Sequence, residues 1–178
     1  EVIHTIGKAD GLTDAMILSL MEWRDGIILA GSDGNGLALI KDNKVEHCYT
    51  IQDGLTSDVI LRTVFDQNGN GVFIVTSNSL CYMDEYTVIR PLKNFPYFNN
   101  YDIQPYKDSL FITGSAGIYV VKTRSLTADS GYLHYELLDA KSGLTSALTA
   151  NAWNCIDDEA NYYLACGNGV FIVNMDNY

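Results

Sequence analysis

The sequence is short of positive charge. It has 11 Lys and Arg against 22 Asp and Glu, giving a formal net charge of −11 and a pI near 4.4. So acidic a chain repels phosphate backbones and anionic headgroups, which argues against nucleic acid and anionic membrane surfaces as partners. No apolar run approaches the roughly 18–20 residues that cross a bilayer as a helix. The opening stretch, Glu1 to Thr5, has neither a basic n-region nor an apolar h-region, so no secretory leader is read there. Lacking an initiator Met, the chain reads as a mature segment or a piece excised from something longer. The four cysteines, Cys48, Cys81, Cys155 and Cys166, include no C-x-x-C pair, which excludes the usual zinc and dithiol motifs. Each lies in or beside an apolar run and reads as a small core hydrophobe. Cys155 and Cys166 flank one expected hairpin, and the spacing leaves a disulfide between them open. G-x-S-x-G, H-E-x-x-H and the P-loop are also missing. Gly31 to Gly36 is Gly-rich, but no helix follows to hold a phosphate.

What is present is a repeat. Asp53-Gly54-Leu55-Thr56-Ser57-Asp58 returns as Asp10-Gly11-Leu12-Thr13-Asp14 and as Ser142-Gly143-Leu144-Thr145-Ser146. Gly11 to Gly54 is 43 residues and Gly54 to Gly143 is 89, two steps of about 44.5. A period in the forties, with short apolar runs between turn residues, is the signature of a β-propeller built blade by blade. Four hairpins align: Ile28-Leu29-Ala30-Gly31, Ile74-Val75-Thr76-Ser77, Ile112-Thr113-Gly114-Ser115 and Leu164-Ala165-Cys166-Gly167. Tight turns need residues that tolerate positive φ, and the strand after each needs an inward apolar side chain.

The expected fold is therefore all-β, a single partial propeller domain over residues 1–178. Its four-stranded antiparallel blades fall at about 10–51, 53–92, 94–138 and 142–175, with a separate strand at 2–6. By the grammar of the repeat that strand, Val2 to Ile6, is a fourth strand, because a Gly-Leu-Thr loop follows it. The last unit supplies only three strands. In closed propellers an N-terminal strand often completes the C-terminal blade and removes an exposed edge. The chain is thus an arc of a larger ring or a small closed ring. The third unit departs most: Asn94 to Asn100 replaces the Gly-Leu-Thr loop, Pro96 and Pro105 make its first strand irregular, and a polar insert runs from Arg124 to Gly131. In the fourth unit Leu148 to Cys155 reads as the first strand.

Candidate chemistry is sparse. Asp66-Gln67-Asn68-Gly69-Asn70-Gly71 matches the first half of an EF-hand loop, but Ser77 stands where the bidentate Glu belongs and strands flank it, so it reads as a turn. His4 and His47 lie seven residues before their motif glycines and His134 nine, so they read as repeat residues spread over outer strands and not as a cluster. Asp157-Asp158-Glu159 reads as a solvated turn, since adjacent residues do not face each other across a substrate. Trp23 and Trp153 lie in expected strands and read as core. The non-repeating, aromatic loop offers Tyr97, Phe98, Asn99 and Tyr101 as ligand-binding candidates. Arg62, inside the apolar run Val59-Ile60-Leu61-Arg62-Thr63, either meets an anionic ligand in a channel or points outward as a plain surface arginine. No catalytic residue, metal ligand or cofactor is expected.

Taken together, Gly54-Leu55-Thr56-Ser57-Asp58-Val59, then Asp66, Gly69 and Asn70, then Phe73-Ile74-Val75-Thr76 and Leu80, resemble the two-component regulator propeller repeat. Phe73 stands where that family prefers Trp, and the third unit lacks the Gly-Leu-Thr loop. The resemblance spans most of the chain. It implies a non-catalytic, extracytoplasmic input segment of a bacterial receptor, periplasmic or facing outward, with a histidine kinase or diguanylate cyclase elsewhere in the protein. A small-molecule or oligosaccharide ligand is implied, and self-association or further blades of the same receptor as partners. Two other classes fit such a scaffold: a lyase or hydrolase with residues converging at a channel mouth, and a secreted protein-interaction scaffold.

Overall fold

The computed structural model describes residues 1–13, 16–66, 68–128, 130–150 and 152–177. Asp14, Gln67 and Asn151, which belong to the first motif copy, the EF-hand-like loop and the fourth unit, lie outside the described residues. The chain divides into two compact units, Glu1–Lys93 and Asn94–Tyr178, and each carries two antiparallel sheets.

In the first unit, β1 (Ile17–Glu22), β2 (Ile28–Ser32), β3 (Leu37–Lys41) and β4 (Lys44–Tyr49) form one four-stranded meander. A second consists of β5 (Ile60–Asp66), β6 (Gly71–Thr76), β7 (Leu80–Met83) and β8 (Ile89–Pro91). Side chains alternate across a pleat, so Leu29, Leu37 and Leu39 turn one way and Ala30, Ala38 and Ile40 the other. The first set packs with Ile60, Ile74, Cys81 and Met83 of the second sheet, and Leu55 of the Gly-Leu-Thr loop is buried among them. The other set forms a separate cluster, covered by Leu12 and Ile6. Leu12 thus seats on the sheet that follows it, and Leu55 lies where the first and second sheets meet.

The loop that delivers Leu55 is built locally. Thr50 opens a single 3-10 turn, Ile51–Asp53; its hydroxyl accepts from the Gln52 N–H while the Asp53 carboxylate accepts from the Thr50 N–H at 2.8 Å. Gly54 ends the turn at φ 108°, the left-handed region. A Cβ there would stand 2.3 Å from the Ile89 carbonyl of β8. Glycine is thus required twice, for the backbone angle and for the approach of the fourth strand.

In the second unit, β9 (Asn100–Tyr106), β10 (Ser109–Gly114), β11 (Gly117–Lys122) and β12 (Tyr135–Leu138) form the third sheet. Pro105 sits on edge strand β9 and keeps its register with Leu110; the irregularity falls at Thr113/Gly114 instead. The polar insert is no plain loop, for Thr123–Ala128 is a one-and-a-half-turn helix, α1, that buries Leu126. The fourth sheet has three strands, β13 (Cys155–Ile156), β14 (Asn161–Cys166) and β15 (Gly169–Asn174). Phe111, Ile118, Val120 and Leu138 of the third sheet pack with Tyr162, Leu164, Phe171 and Val173 of the fourth, and Leu144 joins them.

Four expectations fail here. Val2 to Ile6 forms no strand; Val2 and Ile3 are exposed and no ladder partner lies beside them among the described residues. The first strand of the fourth unit shrinks to Cys155–Ile156 plus a bridge from Leu148 to Cys166. The reason is Asn154, whose side-chain oxygen accepts from the Ala165 N–H at 3.0 Å and so takes the place of a ladder carbonyl. Trp153, expected in the core, is 71% exposed, whereas Trp23 is buried. The cysteines also differ: all four are free thiols, Cys81 alone is buried and Cys155 is exposed, so neither the disulfide nor a uniform core role holds.

Candidate functional site

The non-repeating loop becomes a tyrosine surface on the third sheet. β-Strand pairing sets Tyr119 opposite Leu137 and Tyr135 opposite Val121, which puts both tyrosines on one face. The loop folds over that face. Tyr97 stacks on Tyr119, with centroids 4.5 Å apart and planes 20° off parallel. Tyr135 meets both edge-on, at 5.2 and 5.3 Å, and Phe95 lies beneath, edge-on to Tyr97 and Tyr119. Offset and edge-to-face pairs are the favoured arrangements of aromatic quadrupoles. A hydrogen bond shared with Tyr135 pushes the Tyr97 phenol up to about 12, with loss of solvent contributing less. Burial raises the Tyr119 phenol as well.

The loop is anchored at both ends. Asn94 Nδ2 donates to the Ser125 carbonyl of α1 at 2.9 Å. Asn100 is buried; its Nδ2 donates to the Tyr97 carbonyl at 2.9 Å. The Asn99 carbonyl accepts from the Ser115 N–H, and Asn99 adopts a left-handed φ of 55° that Asn tolerates. Of the sequence candidates, Tyr97 is thus a half-buried structural member of the cluster. Phe98 and Asn99 are exposed beside it, and Tyr101 is half-buried at the start of β9. Sequence reasoning missed Tyr119, Tyr135 and the exposed Tyr132. The signal was available, in tyrosines on adjacent strands that only the ladder register brings together. Near Tyr135 a cavity of about 230 Å³ is lined by Ser109, Val121, Lys122, His134 and Glu136 among others. Lys122 is paired with Asp108 at 2.9 Å there, which lowers the Asp108 carboxyl.

Arg62 belongs to the other unit. It lies in β5 opposite Val75, just after an irregularity in the ladder, and is only 6% exposed. The outward-facing surface role is therefore wrong, because the side chain is buried in the sheet.

The remaining motifs resolve into turns. The Asp66 carboxylate accepts from the buried Tyr82 hydroxyl at 2.9 Å and from the Asn68 N–H at 3.1 Å. A Cβ on Gly69 or Gly71 would collide with that hydroxyl, which explains both glycines without an ion. Burial first and the Asp66 hydrogen bond second raise the Tyr82 phenol strongly. Asp157 does the same work in the fourth sheet, accepting from Asn161, Glu159 and the Tyr163 hydroxyl, and these bonds lower its carboxyl. No group of three metal-ligating side chains occurs among the described residues. His47 lies on β4, 3.5 Å from Asp53, while His4 and His134 sit outside the strands.

No family model matches the chain, and no curated protein does. Solved structures do match. The extracellular domain of BT3049 from B. thetaiotaomicron, described as belonging to a hybrid two-component system, aligns over 95% of this chain and 22% of its own, with TM-score 0.72 and 19% identity. That of BT4673, of like description and from the same organism, aligns over 89% of this chain and 22% of its own, with TM-score 0.66 and 12% identity. PorZ, a surface component of the type-IX secretion system of Porphyromonas gingivalis, aligns over 93% of this chain and 21% of its own, with TM-score 0.58 and 10% identity. The chain spans about a fifth of the length of these structures. No helix among the described residues is long and apolar enough to cross a membrane. What the chain shares with its neighbours is the fold, a run of propeller-type antiparallel blades like those in the extracellular domains of two-component systems.

Proposed function

We propose that the chain is a non-catalytic, ligand-sensing stretch of blades on the outer side of a bacterial receptor of two-component type, exposed to the periplasm or the exterior. The observation that carries this is the likeness over 95% of the chain to the extracellular domain of a hybrid two-component system. The non-catalytic part is supported by the carboxylates: Asp66 and Asp157 are occupied in holding turns, not poised in a cleft. The ligand class is a saccharide, and the recognising surface is the tyrosine cluster with its exposed fringe of Phe98, Tyr132 and Tyr135. Tyrosine rings offer an apolar face to the C–H side of a sugar and a hydroxyl at the rim for its oxygens. The output domain lies elsewhere in the receptor.

A panel of mono- and oligosaccharides tested by thermal shift and calorimetry checks this. The expected outcome is saturable binding to one class, weakened at least tenfold by Tyr135→Ala and Phe98→Ala with melting nearly unchanged. Absence of any saccharide ligand for the chain and for a longer receptor containing it removes the reading. A second reading, a surface scaffold for other proteins, is favoured by the likeness to PorZ; partner capture at low salt without saccharide binding would select it.

A further inference from the structure

The joint between two sheets is built once in each unit and is sealed in only one of them. In the first unit the β2–β3 turn, residues 33–36, leans across the Gly-Leu-Thr loop that leads to β5. The Gly34 and Gly36 N–H groups donate to the Asp58 carbonyl at 3.1 and 2.7 Å, and Asp33 bridges to Val59. The hydroxyls of that loop are engaged as well. Thr56 pairs with the Thr76 hydroxyl at 2.7 Å and Ser57 with that of Ser77 at 2.8 Å. In the second unit the corresponding β10–β11 turn has only two residues, Ser115 and Ala116. The Ser115 N–H donates to the Asn99 carbonyl at 3.0 Å, so this turn holds the tyrosine loop. No hydrogen bond from it crosses to the loop at 139–148 among the described residues. Cys166 and Gly167 take the places of Thr76 and Ser77 in the repeat, which removes the hydroxyl partners of Thr145 and Ser146. Among the described residues neither of these hydroxyls, nor that of Ser115, makes a hydrogen bond.

The short turn leaves a slot of about 290 Å³ between the third and fourth sheets, both of them within the second unit. Ser115, Thr145 and Ser146 line it with hydroxyls, and Leu144 and Leu148 line it with apolar carbon. Asp139 is the only charged side chain in its lining among the described residues; one carboxylate oxygen accepts from the Lys141 N–H at 2.8 Å. Hydroxyls, a carboxylate acceptor and apolar carbon, with no cation, suit an uncharged, hydroxyl-rich ring and repel an anion. The volume is at the small end of ligand sites, about 300 Å³, which suits one ring. The slot also adjoins the tyrosine surface, because its Ser115 binds Asn99, the neighbour of Phe98, and Phe98, Ser115 and Ala116 are all exposed. We propose that this slot is a second subsite of the sensing surface, and that the ligand is an uncharged oligosaccharide several units long. One ring lies on the Phe98 fringe, the chain crosses the turn at 115–116, and another ring sits in the slot. This inference rests on the saccharide reading given above. Two rings tied in one chain bind the second subsite at high effective concentration, so affinity rises with chain length until both subsites are filled.

The test is calorimetry with gluco-, manno-, xylo-, galacto- and fructo-oligosaccharide ladders of one to six units, and with a uronic-acid ladder of the same lengths. For one neutral ladder the affinity is expected to rise at least tenfold between the single unit and the length that spans both subsites. Two variants are expected to erase that gain while the protein melts as before. Ala116→Trp, at an exposed turn position, fills the slot. The double variant Thr145→Val and Ser146→Ala strips its hydroxyls. Saccharide binding that is equal at every length, or a gain with length that survives both variants, overturns the second subsite and leaves the saccharide reading standing. A uronic-acid ladder that gains more with length than the neutral ones overturns the uncharged class. Failure of every ladder to bind removes the saccharide reading and this inference with it.

Discussion

The second and fourth sheets are spelled in nearly the same way and end up in different surroundings. Leu80-Cys81-Tyr82-Met83 and Val170-Phe171-Ile172-Val173 hold the same place in the repeat, the third strand after the hairpin. All four residues of the first set are buried, while Val170 and Ile172 in the second are exposed. In each sheet an aspartate at the end of the first strand accepts from a tyrosine hydroxyl, yet Tyr82 of β7 is buried against Asp66 and Tyr163 of β14 is only half-buried against Asp157. Burial of a blade residue is thus decided less by its own strand than by what packs against it.

This difference is open to direct measurement by urea unfolding of paired variants. The widest gap is expected for Leu80→Ala against Val170→Ala. The first empties a site only 1% exposed and costs roughly 2–5 kcal/mol, the second roughly 0.5 kcal/mol or less. Equal losses would break the comparison. Next come the motif glycines. Gly143→Ala meets open space and costs only the left-handed backbone angle, roughly 1–2 kcal/mol. Gly54→Ala adds a collision with the Ile89 carbonyl, for roughly 2–4 kcal/mol in all. A smaller contrast separates the hydroxyls. Tyr82→Phe strands a buried carboxylate oxygen and costs about 1–3 kcal/mol, whereas Tyr163→Phe leaves Asp157 open to water and costs about 0.5 kcal/mol.

The smallest effect is acid sensitivity. Bonds from the Thr50 backbone lower the Asp53 carboxyl, and bonds from Asn161 and from Lys107 lower those of Asp157 and Asp176. A carboxyl lowered in the folded state adds stability that is complete above its unfolded value, about 3.9, and is lost as pH falls through the lowered one. The urea midpoint should hold from neutral pH to just above that value and decline below it, and Asp157→Asn should flatten the decline. A midpoint that falls equally in wild type and variant would show that other groups govern it. At the alkaline end the raised Tyr97 phenol has the opposite sign. Its contribution is whole below about 10 and fades as pH climbs towards about 12; Tyr97→Phe should remove one late tyrosine titration, near pH 12, from the absorbance curve.

Much of this architecture was readable before any coordinates. The hairpins, the turn residues and the spacing of Gly11, Gly54 and Gly143 follow from period-2 alternation and from the demand for positive φ, both local properties. What escaped was non-local. Trp153 looks like a core residue by its place in an apolar run, yet it is 71% exposed. Val2–Ile6 has the composition of a strand but lacks a ladder to join. Leu148 to Asn154 alternates acceptably, yet one asparagine side chain displaces the ladder. The tyrosine surface needed the register of β11 on β12, which places Tyr119 and Tyr135 together although 16 residues separate them. Arg62 is buried beside a one-residue slip in β5 that no pattern announces.

The leucine of each Gly-Leu-Thr loop has a consequence for how such a chain can grow. Leu55 is written at the head of one repeat, yet it plugs the seam with the sheet before it. The unit of heredity and the unit of packing are therefore out of phase by one loop. A duplication or deletion that breaks anywhere but at this loop parts a sheet from its plug, so repeats can be gained or lost only as whole periods counted from the glycine. The same offset ties the two sheets of a unit together when the protein is heated: melting one uncaps the other.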